Sequence, residues 1–305
     1  MIDGIALGIL SDWETEAVIY ELSENLQNKV TGFDSDGTKV YEKGSYGGLN
    51  VSITQRGLNI SGSLTRFFTG SNFNTMDWND LQDAINKLCR TFRITPDKMI
   101  VKRLEFGSAF VMENEPTAYI KQLNSSGYLP RFSKELVRKT TLYYKQKAEQ
   151  RELVFYDKLL EMEHRNEHIP TGLNNLLRYE MKLKNGAIKP YLPTRTLSDL
   201  SNKNVYKRLL EQWRKYFESL FKTASAIRQG KGKTETLLQY IFVLQKRFGV
   251  NANDLSEWLR ETQRGNTNAH RLKKEVANFY NEQYKSGNGL LSELRDRIIE
   301  TCLAQ

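Results

Sequence analysis

One tyrosine in this sequence stands in a setting that could make it a nucleophile. Tyr156 begins the run Y-D-K-L-L-E, so that Lys158 and Glu161 follow it with the spacing Y-x-K-x-x-E. A phenol oxygen that attacks a DNA phosphodiester leaves a phosphotyrosine bond and a free 3′ hydroxyl, but with a usual pKa of about 10 it needs a nearby cation or base. Lys158 and a metal-bound phosphate could supply that field. The alternative is that Tyr156, one of 15 tyrosines, only fills a half-buried strand end.

Two segments of alternating polarity carry charged groups that could serve this tyrosine. The run K-R-L-E-F holds Arg103 and Glu105, and the run L-L-R-Y-E-M-K-L-K holds Arg178, Glu180 and Lys182. Because strand residues two apart share a face, each Arg and Glu point the same way. If the two strands are neighbours, the carboxylates could hold Mg²⁺ or Mn²⁺, which prefer oxygen ligands, beside a phosphate. The alternative is a solvated sheet face with cross-strand ion pairs.

Basic side chains outnumber acidic ones and are unevenly placed. The 305-residue chain has a formal charge of +9; residues 101–305 hold 36 basic and 23 acidic side chains, against 9 and 13 in residues 1–100. Such a chain, with 15 tyrosines and 14 phenylalanines, favours a polyanion as partner, since aromatic rings can stack on unpaired bases. The alternative is a basic surface that serves solubility.

The composition is typical of a globular protein without a membrane segment. Hydrophobic residues make up 39% and charged residues 27% of the chain, whose length allows one large domain or two modest ones. No apolar run approaches membrane-spanning length, and the first ten residues predict a strand and not a signal peptide. Cys89 and Cys302 lie far apart in helical contexts, which indicates buried thiols in a reducing compartment.

Hydrophobic spacing divides the chain into an α+β part and a helical part. We expect residues 1–190 to form an antiparallel sheet with helices, and residues 191–305 to form an all-helical domain that binds DNA or serves as an accessory. Alternation predicts strands at 2–10, 49–63 (a hairpin), 100–106, 140–145, 152–156 and 177–184, with loops at 31–48. Helical spacing predicts helices at 13–26, 77–93, 117–123 and 157–167, then at 205–225, 234–248, 254–263, 269–285 and 290–303.

The histidines offer a different metal site. His164, Glu167 and His168 match the H-x-x-E-H pattern of inverted zinc proteases, which places both imidazoles on one helix face. The pattern is short, and its helix must end almost at once before Pro170. A solvent-exposed helix end is the alternative interpretation. A zinc hydrolase that uses His164 and His168 is therefore a further function to test.

Four pieces of the sequence, taken in order, resemble the rolling-circle replication initiators of the filamentous-phage gene II type, which are related to plasmid initiators of the Rep_trans kind. The pieces are M-I-D-G-I-A-L, K-R-L-E-F, Y-D-K-L-L-E and L-L-R-Y-E-M-K-L-K. They are similar to the family patterns I-D-x-L-x-L, R-[ILV]-[DE], Y-x-K-x-x-E and R-[FVY]-E, and they span residues 1–184. The segment I-S-G-S-L-T-R-F also resembles the I-S-G-S-L-x-[KR]-F segment of phage members.

The resemblance implies a metal-dependent, site-specific DNA nickase with strand-transfer activity. Tyr156 would be the nicking tyrosine, and Glu105 and Glu180 would bind the Mg²⁺ or Mn²⁺, with Asp3 and Glu161 as further candidates. The side chains expected to contact DNA are those of Arg103, Arg178 and Lys182. The implied partners are an origin in single-stranded or supercoiled DNA and the polymerase and helicase of a bacterial host, in whose cytoplasm the protein would act.

The sequence departs from the family in two places. The His-hydrophobe-His metal motif common among rolling-circle nickases is absent. After Glu105 the chain continues G-S-A-F, where some members have further acidic residues, so the set of metal ligands stays open. A protein that binds an origin or operator without cutting it is the alternative from another functional class.

Overall fold

Ten strands form one antiparallel sheet in the computed structural model, which describes residues 1–12, 15–71, 73, 75–126, 129, 131–146, 150–220 and 288–305. The strands are β1 (Ile2–Leu10), β2 (Gln27–Phe33), β3 (Lys39–Tyr46), β4 (Leu49–Thr54), β5 (Gly57–Ser63), β6 (Ile100–Val111), β7 (Ser133–Val137), β8 (Thr141–Gln146), β9 (Arg151–Asp157) and β10 (Leu176–Lys184). Their order across the sheet is β2-β3-β4-β5-β1-β6-β10-β9-β8-β7. The predicted α+β class with an antiparallel sheet is confirmed.

Most of the described helices cover one face of this sheet. The helices are α1 (Glu16–Glu24), α2 (Leu64–Thr69), α3 (Trp78–Phe92), α4 (Pro116–Ser126), α5 (Lys158–His164), α6 (Lys203–Ser219) and α7 (Asn288–Leu303). Helix α3 shows how the sequence specifies them: Asp77 and Asp80 form a reciprocal capping box, and Leu81, Ile85 and Leu88 follow at helical spacing and are buried. None of the described helices combines the length and apolar character that crossing a bilayer requires.

Helices α6 and α7 complete the core beneath the middle of the sheet. Trp213 of α6 stacks on Tyr179 of β10 and on Phe110 of β6, with ring centroids 4.9 and 6.2 Å apart. Leu294 and Ile298 of α7 are fully buried in the same core. The division at residue 190 and the all-helical domain beyond it stay predictions. The helices predicted at 234–248, 254–263 and 269–285 lie outside the described residues.

Strands β2 and β3 occupy most of a region in which the sequence analysis expected loops. They pair as a hairpin around a turn in which Thr38 N–H donates to Asp34 Oδ1 at 2.9 Å, and Gly37 takes a positive φ of 83°. The residues of β2 are mostly exposed. A strand that buries neither face lacks the alternating pattern from which strands are predicted.

The sheet face opposite α1, α3, α4, α6 and α7 carries polar and small side chains; we call it the outer face. On β5, for example, Leu58 and Ile60 are buried in the core, while Asn59, Ser61 and Ser63 are only partly buried. Their alternation follows from the period of two along a strand. The outer face is where the candidate residues lie.

Candidate active site

Four adjacent strands bring the predicted site residues together on the outer face. Tyr156 of β9 stands opposite Arg178 of β10, and Lys182 of β10 stands opposite Glu105 of β6. Asp3 lies in β1, the next strand, where the register with β6 shifts. The expectation that the two Arg-x-Glu strands are neighbours is therefore confirmed.

Tyr156 lies near the end of β9, and helix α5 begins two residues later. Asp157 caps this helix, since its side chain accepts hydrogen bonds from the N–H groups of Leu159 and Leu160 at 3.0 and 3.2 Å. The cap fixes the chain directly after the tyrosine. The Tyr156 hydroxyl donates a 2.8 Å hydrogen bond to Oε1 of Glu180, so the phenol reaches from β9 to β10.

Arg178 joins two carboxylates in the floor of the site. Its Nε donates to Glu180 Oε1 at 2.7 Å, and its Nη2 donates to Asp3 Oδ2 at 2.6 Å. Asp3 also accepts a 2.6 Å hydrogen bond from Ser63 Oγ of β5. Arg178 is 2% exposed, and an ion buried to this extent is stable only because its donors are paired.

Lys182 and Arg103 balance the remaining carboxylate. The Lys182 ammonium lies 3.6 Å from Glu105 Oε1 and 3.4 Å from Glu180 Oε2, and Arg103 Nε lies 3.3 Å from Glu105 Oε1. Burial raises the pKa of Glu105, whereas attraction to Lys182 and Arg103 acts against that rise. Lys182 is thus a cation placed between two carboxylates.

The resting site does not hold a phenolate. Burial raises the pKa of Tyr156 well above its usual 10.0, and the charge of Glu180 raises it further, although Arg178 acts in the opposite direction. Burial also disfavours the charge of Glu180, but Arg178, Lys182 and the tyrosine hydroxyl together lower the pKa of that carboxyl to about 2. While Arg178 holds it, Glu180 is therefore ionised and a weak base.

Lys158 and Glu161 pair with each other in the first turn of α5. The buried Lys158 ammonium lies 2.5 Å from Glu161 Oε2, and Glu161 Oε1 also forms an ion pair with Arg165 at 2.8 Å. The charge of Glu161 raises the pKa of Tyr156, and the opposing cation is Arg178. The field that was assigned to Lys158 from the sequence thus comes at least in part from Arg178.

The described residues do not form a ready-made metal centre. Among them, no three His, Cys, Asp or Glu side chains are grouped so that they could hold a metal ion. Asp3, Glu105 and Glu180 are each ion-paired to a basic side chain. A divalent ion bound by Glu105 and Glu180 would have to replace the Lys182 ammonium and take further ligands from elsewhere, so the Mg²⁺ or Mn²⁺ site stays a prediction.

The histidine pattern does not lie on one helix. Helix α5 ends at His164, so His168 falls beyond the last helical turn. Glu167, the acid of the pattern, forms an ion pair with Arg66 of α2 instead. The expected helical placement of the two imidazoles is therefore wrong, and the physical reason is the early end of the helix before Pro170.

Two glycines make room for this site, and the sequence analysis did not identify them. A Cβ on Gly4 of β1 would lie 2.9 Å from Cγ of Glu105 and nearer still to its carboxyl group. A Cβ on Gly107 of β6 would lie 2.8 Å from Cα of Glu180. The small residues Gly4, Ala6 and Gly8 recur every second position of β1, and that regularity is the signal that could have revealed a close approach of side chains across the strand.

The order of these parts along the chain agrees with a comparison to known families. A family described as the N-terminal part of the replication-associated protein of phage gene II matches residues 1–199. The chain belongs to this family. It is therefore a replication initiator of the filamentous-phage gene II type, and all the candidate residues lie within the matched region. A comparison with curated proteins found no match.

Proposed function

We propose that this initiator starts rolling-circle replication by nicking one DNA strand through Tyr156. The Tyr156 oxygen attacks the phosphorus, the bond from phosphorus to the 3′ oxygen breaks, and the chain keeps the 5′ phosphate as a phosphotyrosine ester. The released 3′ oxygen takes up a proton and becomes the primer terminus. The observation that carries this proposal is the hydrogen-bonded series in which Tyr156 donates to Glu180, and Arg178 links Glu180 to Asp3.

Arriving DNA would activate the tyrosine by competing for Arg178. A phosphate is a third anion for a guanidinium that two carboxylates already share, and Arg binds phosphate well because its donors form a planar fork. As Arg178 turns to the phosphate, Glu180 loses the charge that lowers its pKa, and its burial then favours uptake of a proton. The nearest donor of that proton is the Tyr156 hydroxyl, 2.8 Å away.

The same cluster supports a role for a divalent cation and for further DNA contacts. We propose that Glu105 and Glu180 bind Mg²⁺ or Mn²⁺ when the Lys182 ammonium moves away, since that ammonium already marks a cation position between them. When bound, the metal would draw charge from the phosphoryl oxygens. Arg103, Arg178 and the displaced Lys182 would then contact the DNA backbone.

The partners follow from the chemistry of the product. A free 3′ hydroxyl on a nicked strand serves a polymerase, and strand displacement requires a helicase, so we propose both as partners, supplied by a bacterial host. A protein that only binds the origin is the second candidate, because a basic chain binds DNA whether or not it cuts it.

The test is to incubate the full chain with single-stranded and supercoiled DNA in Mg²⁺ or Mn²⁺. We expect a protein–DNA adduct that survives denaturant, and a nick from which a polymerase extends directly. Binding without an adduct in either metal would favour the origin-binding candidate. Cleavage without covalent attachment would show that water and not the tyrosine is the nucleophile.

A further inference from the structure

The outer face continues beyond the catalytic cluster onto β1, β5, β4 and β3. We propose that this part of the face binds the single-stranded DNA that leads away from the nicked phosphate, and that Tyr41 and Lys43 form its far end. The inference rests on the proposed function and adds a second contact region to it. It is carried by the register of the strands, the charge of the face and one exposed aromatic ring.

A row of side chains crosses the sheet at right angles to the strands. Asn59 of β5 stands opposite Ser52 of β4, which stands opposite Lys43 of β3. Lys102 of β6 extends across β1, where Gly8 leaves the space, and donates to Asn59 Oδ1 at 2.5 Å. With neighbouring strands about 4.8 Å apart, the two ammonium groups are roughly 10 Å apart, a spacing that suits separate phosphates of one extended strand.

Polar side chains connect this row to the catalytic cluster. Ser63, which donates to Asp3 at 2.6 Å, is preceded along the same face of β5 by Ser61 and Asn59. All three are partly exposed, so a strand of DNA can reach them from solvent. The path from Asp3 to Lys102 is thus lined by small hydrogen-bonding groups that fill little space.

The charge of this region suits a polyanion. The one acidic residue in β3, β4 and β5 is Glu42, which points to the opposite face. There it accepts a hydrogen bond from Ser23 of α1 and forms an ion pair with Lys29 at 2.9 Å. Phosphates on the outer face would therefore meet Lys43 and Lys102 without repulsion from a carboxylate of these three strands.

An aromatic ring stands at the end of the row. Tyr41 lies two residues before Lys43 on the same face and is partly exposed, with its ring over Gly32 of β2. The Lys43 ammonium is 4.3 Å from the ring centroid. A ring beside a cation can stack on a base while the cation meets the phosphate, the combination found in proteins that bind single strands without sequence preference.

The other side of the sheet is less suited to the same role. Tyr143 and Lys145 of β8 repeat the arrangement, with the ammonium 4.5 Å from the ring centroid. Lys145 is, however, paired with Glu135 at 2.5 Å and stands opposite Glu152. These carboxylates would repel phosphates, so the β3 side is the favoured direction.

The test measures binding of oligothymidylates to the full chain in a Tyr156→Phe background, so that cutting does not interfere. The probes range from about 4 to about 16 nucleotides, the span of known single-strand sites. Lys43→Ala, Lys102→Ala and Tyr41→Ala are compared with Lys207→Ala and Tyr20→Ala. The two controls remove an exposed lysine of α6 and an exposed tyrosine of α1, helices that cover the opposite face.

We expect Tyr41→Ala to weaken binding of the long probes on the order of tenfold and to leave the shortest probes unaffected. The salt dependence should become less steep by about 0.7 in the log–log slope for each lysine removed. Wild-type affinity of the three variants for long probes would overturn the proposal, as would an equal loss with duplex DNA. Failure of the nickase proposal would appear separately, as absence of an adduct in the chain that retains Tyr156.

Discussion

At the scale of single residues, Arg178 determines the resting state of the site. Its guanidinium is bonded to Glu180 and Asp3 while almost wholly buried. Two carboxylates this close would repel each other without it, and the tyrosine hydroxyl would lose an ionised acceptor. The residue that holds the fold together here is also the one that a DNA phosphate would engage, so binding and activation are coupled through one side chain.

Glu180→Gln should lower stability at pH 7 but not in acid. The folded-state pKa of about 2 lies below the usual 4.5, so ionised Glu180 stabilises the fold above pH 4.5, and this contribution disappears as the pH falls from 4.5 toward 2. The shift corresponds to about 3 kcal/mol. Urea unfolding at several pH values measures it, with the exposed Glu211→Gln as control. A deficit that is the same at pH 3 and pH 7 would contradict the assignment.

Glu105→Gln should raise the Mn²⁺ concentration needed for cleavage, because an amide is a poorer cation ligand than a carboxylate. Burial raises the pKa of Glu105, so this change should cost less stability at pH 7 than Glu180→Gln. A Mn²⁺ titration of adduct formation measures the first effect and urea unfolding the second. A titration identical to that of the unmodified chain would return Glu105 to a surface ion-pair role.

At the scale of elements, the close approach of β1, β6 and β10 depends on glycine. Gly107→Ala should destabilise the fold by about 1–3 kcal/mol, since the added Cβ meets the backbone of β10. Gly4→Ala should cost less, because its Cβ meets only the mobile end of Glu105, but it should impair cleavage by displacing that carboxylate. Unfolding and adduct assays on both variants separate the two effects. Equal loss of stability would show that Glu105 cannot yield.

The strands that bury one face could be predicted from the sequence, and the others could not. Alternation identified β1, β6 and β10, although β6 extends five residues beyond the expected Phe106, to Val111. It missed β2, whose side chains are mostly exposed, and β7 for the same reason. Periodicity records burial and not hydrogen bonding, so edge strands leave little trace in it.

The candidate site was predictable in its members but not in its pairings. Period two placed Arg178 with Glu180, and both are in contact. The bond from Arg178 to Asp3 depends on the order of strands and on a register shift in β1, which no local pattern encodes. The pairing of Lys158 with Glu161 likewise required the geometry of α5.

At the scale of the whole molecule, the helices after residue 190 belong to the core of the sheet. A chain that ends at residue 190 should fail to fold, because it would expose Tyr179, Phe106 and Phe110, which pack against Trp213. Trp213→Ala in the full chain should cost about 3–5 kcal/mol, and Trp213→Phe less. Near-ultraviolet circular dichroism and urea unfolding measure both. Cooperative unfolding of the 1–190 chain at the stability of the full chain would contradict the expectation.

The identity of the nucleophile is tested most directly by mapping the covalent adduct. Full-length chain is incubated with single-stranded DNA and Mn²⁺, digested with protease and nuclease, and the nucleotide-bearing peptide is identified by mass spectrometry. We expect the modification on Tyr156, its loss in Tyr156→Phe, and its retention in Tyr143→Phe, which alters a partly buried tyrosine on the same face of the neighbouring strand. An adduct that persists in Tyr156→Phe, or that maps to Tyr143, would contradict the central claim.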